Sequence, residues 1–278
     1  MTNQQLKLPY FDIILKRLQE DDPKIEQAFG RHVHWGYWSQ PKQALNSPKD
    51  FRQAAEQLTR EVYGAANIAD GQSVLDVGCG FGGTIASLNE QFSSIKLTGL
   101  NIDQRQLDRA KEKVIAKDKN EIEFVQGNAC DLPFADQSFD VVLAVECIFH
   151  FPDRQQFFQE AYRVLKPGGI LALSDFVPIN LIFPAIWFRA QIDTGFYGNF
   201  DFRYTASHYH KMSRDIGFKA LVEQDITANT LPTYDFLASL NEEMKVDLYD
   251  SYGKETSILA WVSRLHLLRY LILSFQKP

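Results

Sequence analysis

Residues 74–83 read VLDVGCGFGG. Val74, Leu75, Asp76 and Val77 run straight into Gly78, Gly80, Gly82 and Gly83. A buried strand that ends in glycines lets the backbone pass close to a bound ligand, because no Cβ stands in the way. The following residues, 84–91, have a helical pattern. Strand, glycine turn and helix together make a nucleotide-binding edge of an α/β sheet. Gly78, Gly80 and Gly83 satisfy the G-x-G-x-x-G spacing used by dinucleotide enzymes, a weak signal alone. Asp76 stands where dinucleotide-binding strands usually carry an apolar residue. Cys79, Cys130 and Cys147 show neither metal-ligand spacing nor a disulfide framework, so no metal site is expected. They suit a reducing compartment, and a cytoplasmic location is expected.

Around this turn the chain alternates strands and helices. Strands are expected at 74–77, 95–100, 122–126, 140–145 and 170–175, with helices at 82–91, 104–117 and 153–165. Runs of Val, Ile and Leu with little alternation suit a parallel sheet covered on both faces. Asp153 and Gln156 have capping-box spacing. Lys166-Pro167-Gly168-Gly169 then stops the helix. Residues 1–70 read as a helical cap, with helices over 11–29 and 50–66 and the aromatic loop RHVHWGYWSQP between them. After 175 come an aromatic stretch (176–205), a helix (206–216) ended by Gly217, and a strand (218–226). Two helical stretches (233–250 and 254–267) and a last strand (270–275) complete the chain. The expectation is one domain over 1–278: cap 1–70, ligand-binding core 71–176 and substrate side 177–278.

Bulk properties narrow the function. A chain of 278 residues holds one α/β domain with a large core. The net charge of −6, from 29 Lys+Arg against 35 Asp+Glu, argues against a nucleic-acid partner. The N-terminus carries charges inside its apolar stretch and does not read as a signal peptide. Residues 170–188 are very apolar but contain Asp175, Pro178, Asn180 and Pro184. A span needs about 20 apolar residues, so no transmembrane segment is expected.

Taken in order, VLDVGCGFGG, GLNIDQRQL (99–107), GNACDLPF (127–134), SFDVVLAVECIFHFPDR (138–154) and RVLKPGGILALSDF (163–176) resemble class I S-adenosylmethionine-dependent methyltransferases. The resemblance is to the small-molecule branch with the glycine/sarcosine, tocopherol and rebeccamycin-sugar enzymes, and covers residues 30–176. It implies a Rossmann-like, seven-stranded, mostly parallel sheet with an antiparallel last strand, an N-terminal helical cap and an insertion after the fifth strand. It implies S-adenosyl-L-methionine as cofactor. Gly78, Gly80 and Gly83 would lie against its methionine and ribose, and Asp76 would hold the ammonium side. Asn101, with Gln106 nearby, would meet the ribose hydroxyls. Asn128 would face the adenine amino group, and Ala129 would offer its N–H to the ring. Val145 and Glu146 would line the methionine end. Many relatives carry acidic residues where Asn101 and Asn128 stand, but an amide oxygen still accepts these bonds. Tyr37 and Trp38 would close over the sulfonium, which an aromatic face attracts. Alternatively, the aromatics of 32–38 staple the N-terminal helices to the core.

Methyl transfer is an in-line displacement, so the protein must position the acceptor and exclude water. An oxygen or carbon acceptor must also lose a proton. His150 remains of a histidine pair in relatives, with Phe149 in the first place. It is a base, an acceptor-orienting group or a polar wall residue. Asp175 ends the fifth expected strand, and the C-terminal ends of parallel strands face the ligand crevice. Asp175 is thus a candidate for the reaction, or else caps the following loop, and Glu146 is a third candidate that contacts substrate, or else the cofactor or a structural neighbour. His32 and His34 alternate in an extended segment, and one of them is expected to be structural. His208 and His210 diverge on a helix and do not suggest a metal pair. The aromatic insertion 181–204 suits a lipophilic acceptor; packing on the cap or peripheral contact with a membrane are the other readings. The expected activity is methylation of a lipophilic small molecule, on oxygen, in secondary metabolism. Nitrogen and carbon acceptors share the scaffold. A dinucleotide oxidoreductase and a cofactor-binding scaffold without catalysis are the rivals. The sequence says nothing of oligomeric state.

Overall fold

The computed structural model describes residues 9–180, 191–193, 199–201, 203–244 and 249–278. Short apolar runs build seven strands: β1 (Ser73–Val77), β2 (Lys96–Asn101), β3 (Glu121–Gln126), β4 (Phe139–Ala144), β5 (Leu165–Pro178), β6 (Lys219–Asp225) and β7 (Leu268–Gln276). They form one sheet in the order β3-β2-β1-β4-β5-β7-β6. The pairs from β3 across to β5 are parallel, and β7 runs antiparallel to both neighbours. Strand order reverses between β1 and β4, which places the glycine turn after β1 at a topological switch point.

Side chains alternate across each strand, and both faces are covered. Leu75, Val77, Val142 and Leu173 pack with α6 (Arg154–Val164) and α7 (Ala206–Ile216). Val74, Val141, Leu143 and Ala172 pack with α4 (Gly83–Gln91) on the other face. The cap consists of α1 (Pro9–Gln19), α2 (Pro23–Phe29) and α3 (Pro48–Gly64). Its aromatic cluster joins Phe29 and Phe51 to Phe81 of the glycine turn and to Phe236 of α8 (Pro232–Met244). A further helix, α9 (Tyr249–Arg264), leads into β7.

Three boundaries differ from expectation. The helix expected over 11–29 is broken at Asp21, which has φ 56°. Asp22 then caps α2 by accepting the N–H groups of Lys24 and Ile25, and Pro23 begins it. Helix α5 (Gln104–Lys113) stops short of 117, because Val114 is already extended. Strand β5 runs on to Pro178 because β7 pairs with it as far as Leu268. The cap of α6 forms as the spacing predicts: Asp153 accepts from the Gln156 N–H at 2.9 Å. Most of the insertion 181–204 lies outside the described residues; Gln191–Asp193 and Asn199–Asp201 form a short antiparallel ribbon. Among the described residues no helix is long and apolar enough to cross a membrane. All three cysteines are free.

Candidate active site

Gly78, Gly80 and Gly82 all lie in the left-handed region, with φ of +74°, +54° and +78°. The amides of Gly78 and Cys79 both donate to the Leu100 carbonyl, which ties the turn to β2. A Cβ on Gly78 would strike the Cys147 side chain at 2.7 Å. At Gly80 a Cβ would find only Gln106 Oε1, at 3.9 Å, so this backbone faces open space. Gly83 plays another part. A Cβ there would lie 2.3 Å from His32 Nδ1 and 2.5 Å from the Arg31 carbonyl. It is small to admit the N-terminal arm.

Beneath the turn, Asp76 is 1% exposed, and its Oδ2 has no hydrogen-bond partner among the described residues. Burial pushes its carboxyl up to about 8, opposed by a bond from Thr84. At the end of β2, Asn101 Nδ2 donates to Gln106 Oε1 at 3.0 Å, and both residues are buried. Asn128 Oδ1 accepts the Cys130 N–H at 2.9 Å, an Asx turn that presents the buried Ala129. These groups fit the methyl donor. The orphan oxygen of Asp76 suits an ammonium, the open backbone at Gly80 suits close approach, and the Asn101–Gln106 pair suits a diol.

A cavity of about 120 Å³ is lined by residues of α1, α2, α3 and α8 together with the aromatic segment and the connection after β4, and its wall is mostly apolar and aromatic. Glu146 lines it. It follows β4 in a left-handed conformation with φ 49°. Its N–H donates to Ser174 Oγ at 3.0 Å. Its carboxylate oxygens both lie 3.0 Å from the Trp35 N–H, and one also accepts from the Tyr270 hydroxyl. Burial nonetheless pushes the Glu146 carboxyl up to about 8. Val145 is buried beside it, in a cluster with Trp35, Phe149 and Phe176.

His150 does not line the cavity, although its neighbour Phe149 does. Its Nε2 lies 3.1 Å from the Tyr10 hydroxyl, and its Nδ1 is buried without a partner among the described residues. Burial, then the nearby Arg154 charge, lowers it to about 3. Asp175 is on the opposite face of β5 from the cavity-lining Phe176. It is fully buried, 2.6 Å from Arg154 Nη1, and accepts from the Tyr209 hydroxyl at 2.6 Å. The expectation that Asp175 ends its strand at the crevice is corrected: the strand continues to Pro178, and strand parity turns Asp175 toward α6 and α7.

Trp38 is buried against Phe51 and Ala54, and its Nε1 donates to Asp50 at 2.9 Å. Tyr37 bonds α3 through its N–H to the Ala54 carbonyl and packs at the edge of the Trp35 cluster. The structure thus places both in contact with the cap helices. Trp35, from the same segment, faces the cavity with its edge against Phe176 and Tyr234. His32 meets Glu56 at 2.8 Å and His34 at 3.1 Å, and His34 also meets the Trp35 carbonyl. His210 faces Glu223, and among the described residues no three His, Cys, Asp or Glu side chains converge on a metal-sized space. Tyr10, Trp35, Phe176 and Tyr270 were not singled out from the sequence. Nothing in their spacing marks them, because long-range packing alone brings them together.

A family model described as a methyltransferase domain matches residues 75–173. The O-methyltransferase resE of Aspergillus sclerotiorum is 32% identical over 208 residues, covering 74% of this chain and 75% of its own. The chain belongs to the S-adenosylmethionine-dependent methyltransferases. This sets aside the dinucleotide-dependent oxidoreductase. The 27-O-demethylrifamycin SV methyltransferase of Amycolatopsis mediterranei is 35% identical over 154 residues, 55% of this methyltransferase and 54% of that relative. The match therefore spans about half of that relative's length. Among solved structures, the [4+2]-cyclase SpnF superposes with a TM-score of 0.72 at 24% identity, over 96% of this chain and 94% of its own, a likeness of fold.

Proposed function

We propose that this methyltransferase transfers a methyl group to an oxygen of a lipophilic small molecule of secondary metabolism, with Glu146 taking the acceptor's proton. When bound, S-adenosylmethionine supplies a methyl group already activated on a sulfonium. Asp76, the Gly78–Gly80 backbone and the Asn101–Gln106 pair hold it, and Val145 and Ala129 close its pocket. The observation that carries the choice of base is that Glu146, alone of the three acid–base candidates, lines the cavity. A carboxylate poised near 8 is a far better proton acceptor than an imidazole lowered to about 3. Trp35, Phe149 and Phe176 form flat apolar walls that exclude water and accept an apolar ring or chain. His150 acts through Tyr10 as a positioning residue, and Asp175 holds α6 to the sheet. The free cysteines suit a reducing, cytoplasmic setting.

The test supplies methyl-labelled cofactor and a panel of lipophilic phenols, alcohols, amines and hydroquinones. Label in an ether is expected. Label confined to amine or ring-carbon products overturns the oxygen assignment. On the accepted substrate, Glu146→Gln is expected to lower kcat by about 10²–10⁴-fold. Its affinity for S-adenosylhomocysteine should stay unchanged.

A further inference from the structure

Helix α1 presents one face to the cavity. Tyr10, Ile13, Ile14 and Arg17 all line it, at the i, i+3, i+4, i+7 spacing of a single helix stripe. Tyr10 marks the end beside His150, just after β4. Arg17 marks the other end, about 10 Å farther along the axis at 1.5 Å per residue.

Arg17 is out of place in such a wall. Among the described residues it is, apart from Glu146, the one acidic or basic side chain other than histidine in the lining, and its stripe neighbours Ile13 and Ile14 are aliphatic. Its ionic partner, Asp22, lies 3.8 Å away, beyond hydrogen-bond distance. The other oxygen of that carboxylate, Asp22 Oδ1, caps α2 by accepting the N–H groups of Lys24 and Ile25, which holds the group to its own helix. The Arg17 side chain is about one-third exposed, so it stands at a mouth of the cavity rather than in its floor. A planar guanidinium with donors to spare recognises a carboxylate in two-pronged fashion. Glu146, elsewhere in the lining, offers an anion no cationic donor and accepts a hydroxyl proton.

We infer that Arg17 reads an anionic end of the acceptor: the substrates are amphiphilic hydroxy acids, with the carboxylate at Arg17 and the reacting hydroxyl at Glu146, both in the lining of the same cavity. This rests on the proposed methyltransferase activity and adds to it a substrate class. The aliphatic stripe beside Arg17 covers the apolar middle of such a molecule.

The experiment measures binding of ω-hydroxydecanoic acid and its methyl ester by calorimetry, with S-adenosylhomocysteine present. The native protein is expected to bind the acid about tenfold or more tightly than the ester, as for one charge-assisted pair. Arg17→Gln is expected to bring the acid down to the ester's affinity while the ester is unaffected. S-adenosylhomocysteine affinity, equal in both proteins, shows that the variant is folded. Equal binding of acid and ester by the native protein, a preference that survives Arg17→Gln, or no binding of either probe overturns the assignment. If S-adenosylhomocysteine itself fails to bind the native protein, the methyltransferase reading falls instead.

Discussion

Glu146 and His150 lie on the same short connection after β4, yet burial moves their proton affinities in opposite directions, one up to about 8 and the other down to about 3. The sign follows from which form is charged: burial disfavours the carboxylate and the imidazolium alike. A base works deprotonated, so turnover is expected to rise with pH and level off above about 8. A pH–rate profile at saturating cofactor checks this, and a profile flat from pH 6 to 9 removes Glu146 as the base. Asp175 calls for a different measurement. It and Arg154 are both almost wholly buried, so Asp175→Asn leaves a guanidinium without its counter-charge. Losing one partner of a buried pair costs about 3–5 kcal/mol. A large fall in Tm with near-native kcat in the remaining folded protein is expected, and an unchanged Tm contradicts it.

The glycine turn shows how elements divide labour among similar residues. Gly80 faces open space in a left-handed conformation, whereas Gly83 is crowded by the His32 ring. Gly80→Ala is therefore expected to weaken S-adenosylhomocysteine binding while lowering stability only by the backbone strain, about 1 kcal/mol. Gly83→Ala is expected to lower Tm more, because the arm around His32 must shift. Equal effects of the two substitutions on binding and on Tm would contradict this division. The sequence made the turn legible because strand, glycines and helix are contiguous, and it made β1 to β5 legible because their apolar runs are short and bounded. It did not reveal that Asp175 lies within its strand and not at the crevice end. That depends on how far β5 extends, and the extension is fixed by β7, about a hundred residues away. Nor could it rank Trp35 above Tyr37 and Trp38. All three share one aromatic segment, and only Glu146 and α3 decide which of them turns inward. The break between α1 and α2 was written in Asp22-Pro23, a cap and a first-turn proline within an otherwise helical pattern.

Across the whole molecule, the cap is held to the core by buried polar groups as well as by its aromatic cluster. Glu56 accepts from Ser87 of α4 at 2.6 Å and meets His32 of the arm, and His34 continues the chain to the Trp35 carbonyl. Burial lowers His34 from 6.5 to about 3, and the His32 and Ser87 hydrogen bonds, with the nearby positive charges, bring Glu56 from 4.5 to about 2 against its burial. Both folded values lie below the unfolded ones, so both groups stabilise the fold above their unfolded pKa. That stability is lost as pH falls, from about 6.5 to 3 for His34 and from about 4.5 to 2 for Glu56. Melting curves are expected to show Tm dropping over this acid range. His34→Gln should flatten the part of the decline between pH 6.5 and 4.5. A decline of identical slope in native protein and variant would exclude His34 as its source.

Strand β7 lies between β5 and β6, and among the described residues β6 has no other neighbour in the sheet. During synthesis, then, β6 emerges with nothing to pair with, and β5 keeps a bare edge until residues 268–276 have been made. Lys277 extends the dependence to α6: its ammonium donates to the carbonyls of Tyr162 and Leu165, at the C-terminal end of that helix. One half of the sheet can form on the ribosome, while the other waits for residues 268–276 to emerge. In that interval the open edge of β5 is a site for chaperones to shield or for aggregation to begin.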